Sequence, residues 1–170
     1  MEKINLRVFR KRVAENKSSM KRFLSRITRN PPRGLDSMAV AADLEMWTKV
    51  DCLACANCCK TMSPTYNKQD LVRISNHIGV TVDEFKKKYL RRDRDGDWIN
   101  RQQPCQFLNL EDNKCSIYAV RPRDCAGFPH HTKKRVVDYM HVFKQNIEYC
   151  PATYTVVKML KEKIEPKSYK

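Results

Sequence analysis

The chain has 170 residues, eight cysteines and a formal net charge of +15. Its length fits one ordinary domain with a tail, and 41% hydrophobic against 31% charged residues allows a modest core and argues against wholesale disorder. No stretch approaches the roughly 18 consecutive apolar residues of a membrane span, and Met1-Glu2-Lys3-Ile4-Asn5-Leu6 lacks the apolar region of a secretory signal, so the expected compartment is the cytoplasm.

Residues 1–34 hold 11 Lys/Arg against 2 Asp/Glu, a local charge of +9. Ile4, Val8, Phe9, Val13, Met20, Phe23, Leu24 and Ile27 recur there at near three- to four-residue spacing, which predicts one or two helices ended by Pro31 and Pro32. A basic helical arm of this kind attracts polyanions, whether nucleic acid, an anionic membrane face or an acidic partner. The plainer alternative is a solvated helix face, since few aromatic residues are interleaved for base stacking. Residues 35–157 and 158–170 carry only +3 each, so the excess charge is mainly terminal. The expected organisation is this arm, a cysteine-cluster domain over 35–165 and a tail over 166–170.

Asp36 or Ser37 is expected to cap the next helix, with Val40, Leu44 and Trp47 as its apolar stripe, and this helix delivers the chain into Cys52. Asn67 precedes a short helix with Leu71, Ile74 and Ile78, and Gly79 stands where a helix-ending glycine belongs. Thr81 and Glu84 form a capping box ahead of Phe85, Tyr89 and Leu90. Asp95-Gly96 signals a hairpin leading into Trp98 and Ile99. Asp93 to Asp97 looks superficially like the start of a calcium loop, but the twelfth position is Pro104 and not a bidentate glutamate, so the segment reads as an acidic turn. Phe107-Leu108 and Ile117-Tyr118 flank the polar run 111–114, suggesting a second short hairpin. Residues 135–148 fit helix or strand, and helix better, and Pro151 opens a last helix with Tyr154, Val157, Leu160 and Ile164. The fold class expected is α+β and mostly helical: a small single domain with short β-hairpins and a cysteine-rich metal region.

The cysteines carry the chemistry. In a reducing compartment, clustered thiols point to metal rather than disulfides. Cys52, Cys55 and Cys58 are spaced by two residues, which lets the backbone loop so that thiolates face one ion. The same spacing begins a bacterial ferredoxin run, but Cys59 follows at once and the local match breaks; Cys150-Pro151 could supply a remote ligand. Cys105, Cys115, Cys125 and Cys150 are too far apart for a compact zinc finger, so the site has to be assembled across the fold. In an extended segment the adjacent Cys58 and Cys59 would point to opposite sides, so they would serve different centres or one would not ligate. Eight thiols divide into two four-ligand sites; the alternative is one site plus buried structural cysteines. An all-thiolate set accepts zinc and iron–sulfur clusters alike. His130 or His131 could replace one thiolate or stand outside the ligand set, and Arg121 could hydrogen-bond a thiolate or pair with Asp124.

These residues carry a family resemblance. Cys52-x2-Cys55-x2-Cys58-Cys59, Pro104-Cys105-Gln106-Phe107-Leu108, Cys115 to Cys125 with Arg121-Pro122, Phe128-Pro129 and Cys150-Pro151 resemble the YkgJ-type cysteine-cluster family over about residues 50–155. The family often has arginine directly after the cysteine at the Cys125 position, where this chain has Ala126. The resemblance implies a domain that chelates zinc or iron through Cys52, Cys55, Cys58, Cys59, Cys105, Cys115, Cys125 and Cys150. The flagellin lysine N-methylase group is similar through the same cluster, which implies that some members use a metal or iron–sulfur centre in methyl transfer. Three function classes follow: a cytosolic metal-binding protein, an iron–sulfur redox or methyl-transfer enzyme, and a metal-stapled nucleic-acid-binding module.

Overall fold

The computed structural model describes residues 4–166. In chain order its helices are α1 (Leu6–Arg29), α2 (Leu35–Trp47), α3 (Cys52–Cys55), α4 (Asn57–Thr61), α5 (Lys68–Ile78) and α6 (Val82–Tyr89), then α7 (Arg123–Gly127), α8 (Met140–Asn146) and α9 (Pro151–Ile164). Strands β1 (Leu90–Arg92) and β2 (Trp98–Asn100) lie between α6 and α7 and pair antiparallel, Arg91 opposite Ile99. The chain is therefore α+β and mostly helical, as its patterning predicts. It divides into two compact units: residues 1–55 with 129–170, and residues 56–128. The tail expected over 166–170 lies, past its first residue, outside the described residues.

In the first unit, the three-to-four spacing of α1 produces a single long helix. Asn5 caps it by accepting from the amides of Arg7 and Val8. Phe9, Val13, Met20, Phe23, Leu24 and Ile27 are buried, and the helix packs on α8 and α9. Full burial of a side chain such as Phe23 or Leu24 stabilises by about 1.5–3 kcal/mol. The basic residues between them form the outer face of a core helix.

The second helix of this unit departs from its pattern. Its cap is Gly34, in the left-handed region at φ 77°, and Asp36 sits inside the first turn, where Oδ1 accepts from the Val136 amide at 2.8 Å. Val40, Leu44 and Trp47 are exposed, and Leu35, Ala39, Ala42, Asp43 and Met46 are buried instead. The helix is apolar nearly all round, so periodicity cannot choose a face. Small Ala39 and Ala42 allow close approach to α9, and that contact decides.

In the second unit, the capping signals hold. Asn67 and Asp70 form one capping box and Thr81 and Glu84 another, and Gly79 closes α5 at φ 74°. An aromatic core gathers behind these helices: Tyr66, Leu71, Ile74, Phe85, Leu90, Phe107 and Ile117. Phe85 stacks on Phe107 with ring centres 6.2 Å apart, and Tyr89 lies 5.4 Å and 5.3 Å from those two rings. The first hairpin turns at Asp93–Asp97, where Asp93 Oδ1 accepts from the amides of Asp95 and Asp97. The second expected hairpin is reduced to one bridge between Leu108 and Cys115, because the polar run 111–114 supplies no strand to continue it.

Candidate metal centre

All eight cysteines are free thiols. Within the second unit, α4 carries Cys58 and Cys59 with their sulfurs 3.9 Å apart. The opposed orientation expected of an extended segment does not arise, because a helix turns only about 100° per residue. The contact with Cys58 brings the Cys59 thiol down to about 7, against the opposing effect of its burial. The Cys105 amide donates to the Cys59 carbonyl at 2.9 Å, which fixes these two cysteines side by side. Cys105 and Cys115 both pack against the aromatic core.

Cys125 arrives on α7, and two carboxylates locate that helix. Asp124 Oδ2 accepts from the Thr65 amide at 3.1 Å, and Asp70 Oδ1 accepts from the Arg123 amide at 3.2 Å. Asp70 is almost wholly buried and also holds Arg73 at 2.6 Å. The Arg73 guanidinium in turn donates to the carbonyls of Val120 and Arg121. The loop that leads into Cys125 is thereby tied to α5. Arg121 stacks 4.0 Å over the Tyr118 ring and donates to the Tyr118 carbonyl, and its positive charge favours the Cys115 thiolate.

The thiols of Cys59, Cys105, Cys115 and Cys125 act on one another. Burial raises Cys105, Cys115 and Cys125, and the negative charge of neighbouring thiolates in this group raises each further. Four partly buried thiols so close in charge ionise together only if a cation offsets their repulsion.

A third group of residues lies beneath them. Asn100 is buried, and its Oδ1 accepts from Tyr66 Oη at 2.6 Å and Gln106 Nε2 at 3.1 Å. Its Nδ2 is a buried donor with no hydrogen-bond partner at ordinary distance, yet it lies close enough to Cys105 to favour the ionised thiol. A buried amide left unpaired costs about 1–3 kcal/mol. A metal-bound thiolate is an acceptor that would satisfy it, so this environment fits a thiolate centre.

In the first unit, α3 places Cys52 and Cys55 one turn apart, and Asp51 Oδ1 caps that turn by accepting from the amides of Leu53 and Ala54. Cys150 is buried as the N-cap of α9, and its Sγ accepts from the Thr153 amide at 3.4 Å. Burial pushes Cys52 up to about 12, with the charges of Cys150 and Cys55 adding to the effect. Cys150 is likewise raised first by burial, with Cys55 contributing. These three thiols form a second neighbourhood. Among the described residues, no three His, Cys, Asp or Glu side chains stand ready-made around a metal position. The thiols are gathered without converging, and a bound ion would have to draw them in.

His131 is not available as a ligand. Its Nδ1 lies 2.8 Å from Asp43 Oδ1 and its Nε2 lies 2.9 Å from Thr153 Oγ1, so both ring nitrogens are engaged. Burial lowers its pKa against the opposing pull of Asp43, and neighbouring His130 adds to the lowering. The neutral ring is the folded form. The unfolded chain then takes up a proton near pH 6.5 more readily than the folded one does. Stability is expected to be complete above about pH 6.5 and to fall below it, by at most about 1.4 kcal/mol per pH unit from this group. Urea unfolding between pH 7.5 and 5 checks this, with a flatter profile expected for His131→Gln.

Comparison with known proteins bears on this cysteine arrangement. A family model, CxxCxxCC, described as a "putative zinc- or iron-chelating domain", matches residues 51–151, a span that includes every cysteine. The chain belongs to the CxxCxxCC family. The family description supports metal binding, with zinc or iron as the ion. One relative is the uncharacterized protein MJ0661 of Methanocaldococcus jannaschii, 34% identical over 86 residues. The match covers 49% of this chain and 46% of that protein, so the chain spans less than half of the relative's length. No solved structure matches. No helix among the described residues is long and apolar enough to cross a membrane.

Sequence reasoning picked out the thiols and missed their supports. Asp70 and Asp43 sit far in sequence from Cys125 and Cys150, and Asn100 and Thr153, though near Cys105 and Cys150, belong to no motif that marks them. Asp70 alone left a signal, as the partner of Asn67 in a capping box.

Proposed function

We propose that this CxxCxxCC domain is a cytosolic chelator of zinc or iron that holds metal through two thiol groups. Cys59, Cys105, Cys115 and Cys125 form one, within the second unit. Cys52, Cys55 and Cys150 contribute to the other, within the first unit. Cys58 assists Cys59 through its 3.9 Å sulfur contact. The observation that carries the reading is the first group: four partly buried thiols, of which Cys105, Cys115 and Cys125 are raised by burial and by the charge of their neighbours, beside the buried Asn100 amide donor that favours the Cys105 thiolate. Zinc bound there would order the loop-rich segment 101–122, and an iron–sulfur cluster would add one-electron chemistry.

Elemental analysis and optical spectra of protein purified without oxygen test the proposal. Cys125→Ser is expected to lose the metal of the second unit and Cys150→Ser that of the first, with losses that add. A colourless, zinc-loaded protein identifies zinc, and broad absorption near about 400 nm identifies an iron–sulfur cluster. Wild-type protein without stoichiometric metal, or metal content unchanged in Cys125→Ser, overturns it.

A further inference from the structure

A chain of polar contacts in the first unit, buried from Asp43 onward, ends at the Cys150 thiol. Trp47 Nε1 donates to Asp43 Oδ2 at 3.0 Å. Asp43 Oδ1 faces His131 Nδ1, and His131 Nε2 faces the Thr153 hydroxyl. A carboxylate only accepts, so Nδ1 carries the proton, and Nε2 must accept from the Thr153 O–H. The Thr153 amide donates to Cys150 Sγ. His131 also rests against the Phe143 ring, 5.4 Å away centre to centre.

Carboxylate, imidazole and hydroxyl follow in the order of an acyl-transfer relay. Burial excludes that chemistry. Thr153 is fully buried, so no substrate carbonyl reaches its hydroxyl. The relay acts on its other neighbour. Thr153 sits in the first turn of α9, and its own amide is the one that donates to Cys150 Sγ. Tethering its side chain to α2 through His131 and Asp43 holds that turn, and the cap residue with it, in one place. A buried polar chain satisfied at every step costs nothing to keep, whereas removing one member leaves the others desolvated and unpaired.

We propose that His131, oriented by Asp43, is a positioning residue that acts through Thr153 to fix the Cys150 thiol for metal capture. This rests on the reading of Cys52, Cys55 and Cys150 as a metal-holding group. Outer contacts of this kind typically change metal affinity about 10–100-fold when lost.

The test uses the full chain and resolves each cysteine separately. Zinc is titrated into metal-free protein, the thiols are alkylated with iodoacetamide over hours so that buried Cys150 reacts through transient opening, and the zinc concentration that half-protects each cysteine is read by peptide mass spectrometry. Thr153→Val keeps the shape and removes the hydroxyl; Thr153→Ser restores it. The expected result is an increase of about 10–100-fold in the zinc needed to protect Cys150 in Thr153→Val. Protection of Cys125 should be unchanged, and Thr153→Ser should return Cys150 to the wild-type value. His131→Gln should match Thr153→Val. General loosening of the fold would shift all thiols together without rescue by serine, and that outcome overturns the proposal. Wild-type Cys150 protected by zinc and Thr153→Val protected equally well overturns it alone. Wild-type Cys150 that zinc never protects overturns the metal reading of the first unit, and the proposal with it.

Discussion

Stripping metal from the purified chain with a chelator is expected to lower its thermal midpoint by roughly 15–30 °C. The argument is mass action. A ligand that binds only the folded state at a thousandfold its Kd stabilises by about 4 kcal/mol. In a unit of this size each kcal/mol moves the midpoint by about 4–8 °C. The second unit depends most on this contribution, because β1 and β2 have three residues each and the cysteine-bearing segment from 101 to 122 is nearly all turns. Without a cation, Cys105, Cys115 and Cys125 stay protonated there and the Asn100 donor has no thiolate to face. Differential scanning calorimetry before and after chelation, with zinc or iron added back, measures the effect. An unchanged midpoint would show that the thiols are buried as small apolar groups and nothing more. Acid should make chelation easier, since protons compete for the same sulfurs and the pKa values of Cys52, Cys105, Cys115, Cys125 and Cys150 are raised.

Phe85→Ala is expected to destabilise the second unit by about 3–5 kcal/mol, the usual cost of truncating a buried phenylalanine. Phe85 is fully buried and touches Tyr66, Tyr89 and Phe107. The consequence for metal follows from the packing. Cys105 and Cys115 lie against this same cluster, and Tyr66 anchors Asn100. A cavity at Phe85 therefore frees the side chains that bring two thiols and one amide donor together. Zinc protection of Cys105 and Cys115 should weaken in this variant, while that of Cys52 and Cys150 should not. Urea unfolding and residue-resolved alkylation check the two halves of the prediction. Equal weakening at all cysteines would mean that the effect is not transmitted through the aromatic core.

Local rules made much of the fold readable. Asn67 with Asp70, Thr81 with Glu84, Gly79, Asp95-Gly96 and Pro151 each act through backbone groups a few residues away, so their spacing is their mechanism. The exposed face of α2 was not readable in this way. Val40, Leu44 and Trp47 make as good an apolar stripe as the face that is buried, and only packing against α9 separates them. The orientation of Cys58 and Cys59 likewise turned on whether the backbone there was extended or helical.

The sequence by itself picked out the atoms proposed to hold a metal, eight thiols with their two-residue spacings, and the family they mark. Thiolate chemistry belongs to the residue type and needs no partner to be recognised. The tertiary structure decided how the thiols are grouped and what surrounds them. Cys59 comes beside Cys105, 46 positions further along the chain, through one backbone hydrogen bond. Cys150 comes to the end of a chain of contacts that runs from Asp43 through His131 and Thr153. Contacts of this kind depend on chain closure over long separations, and no local spacing encodes which buried donor will face which sulfur.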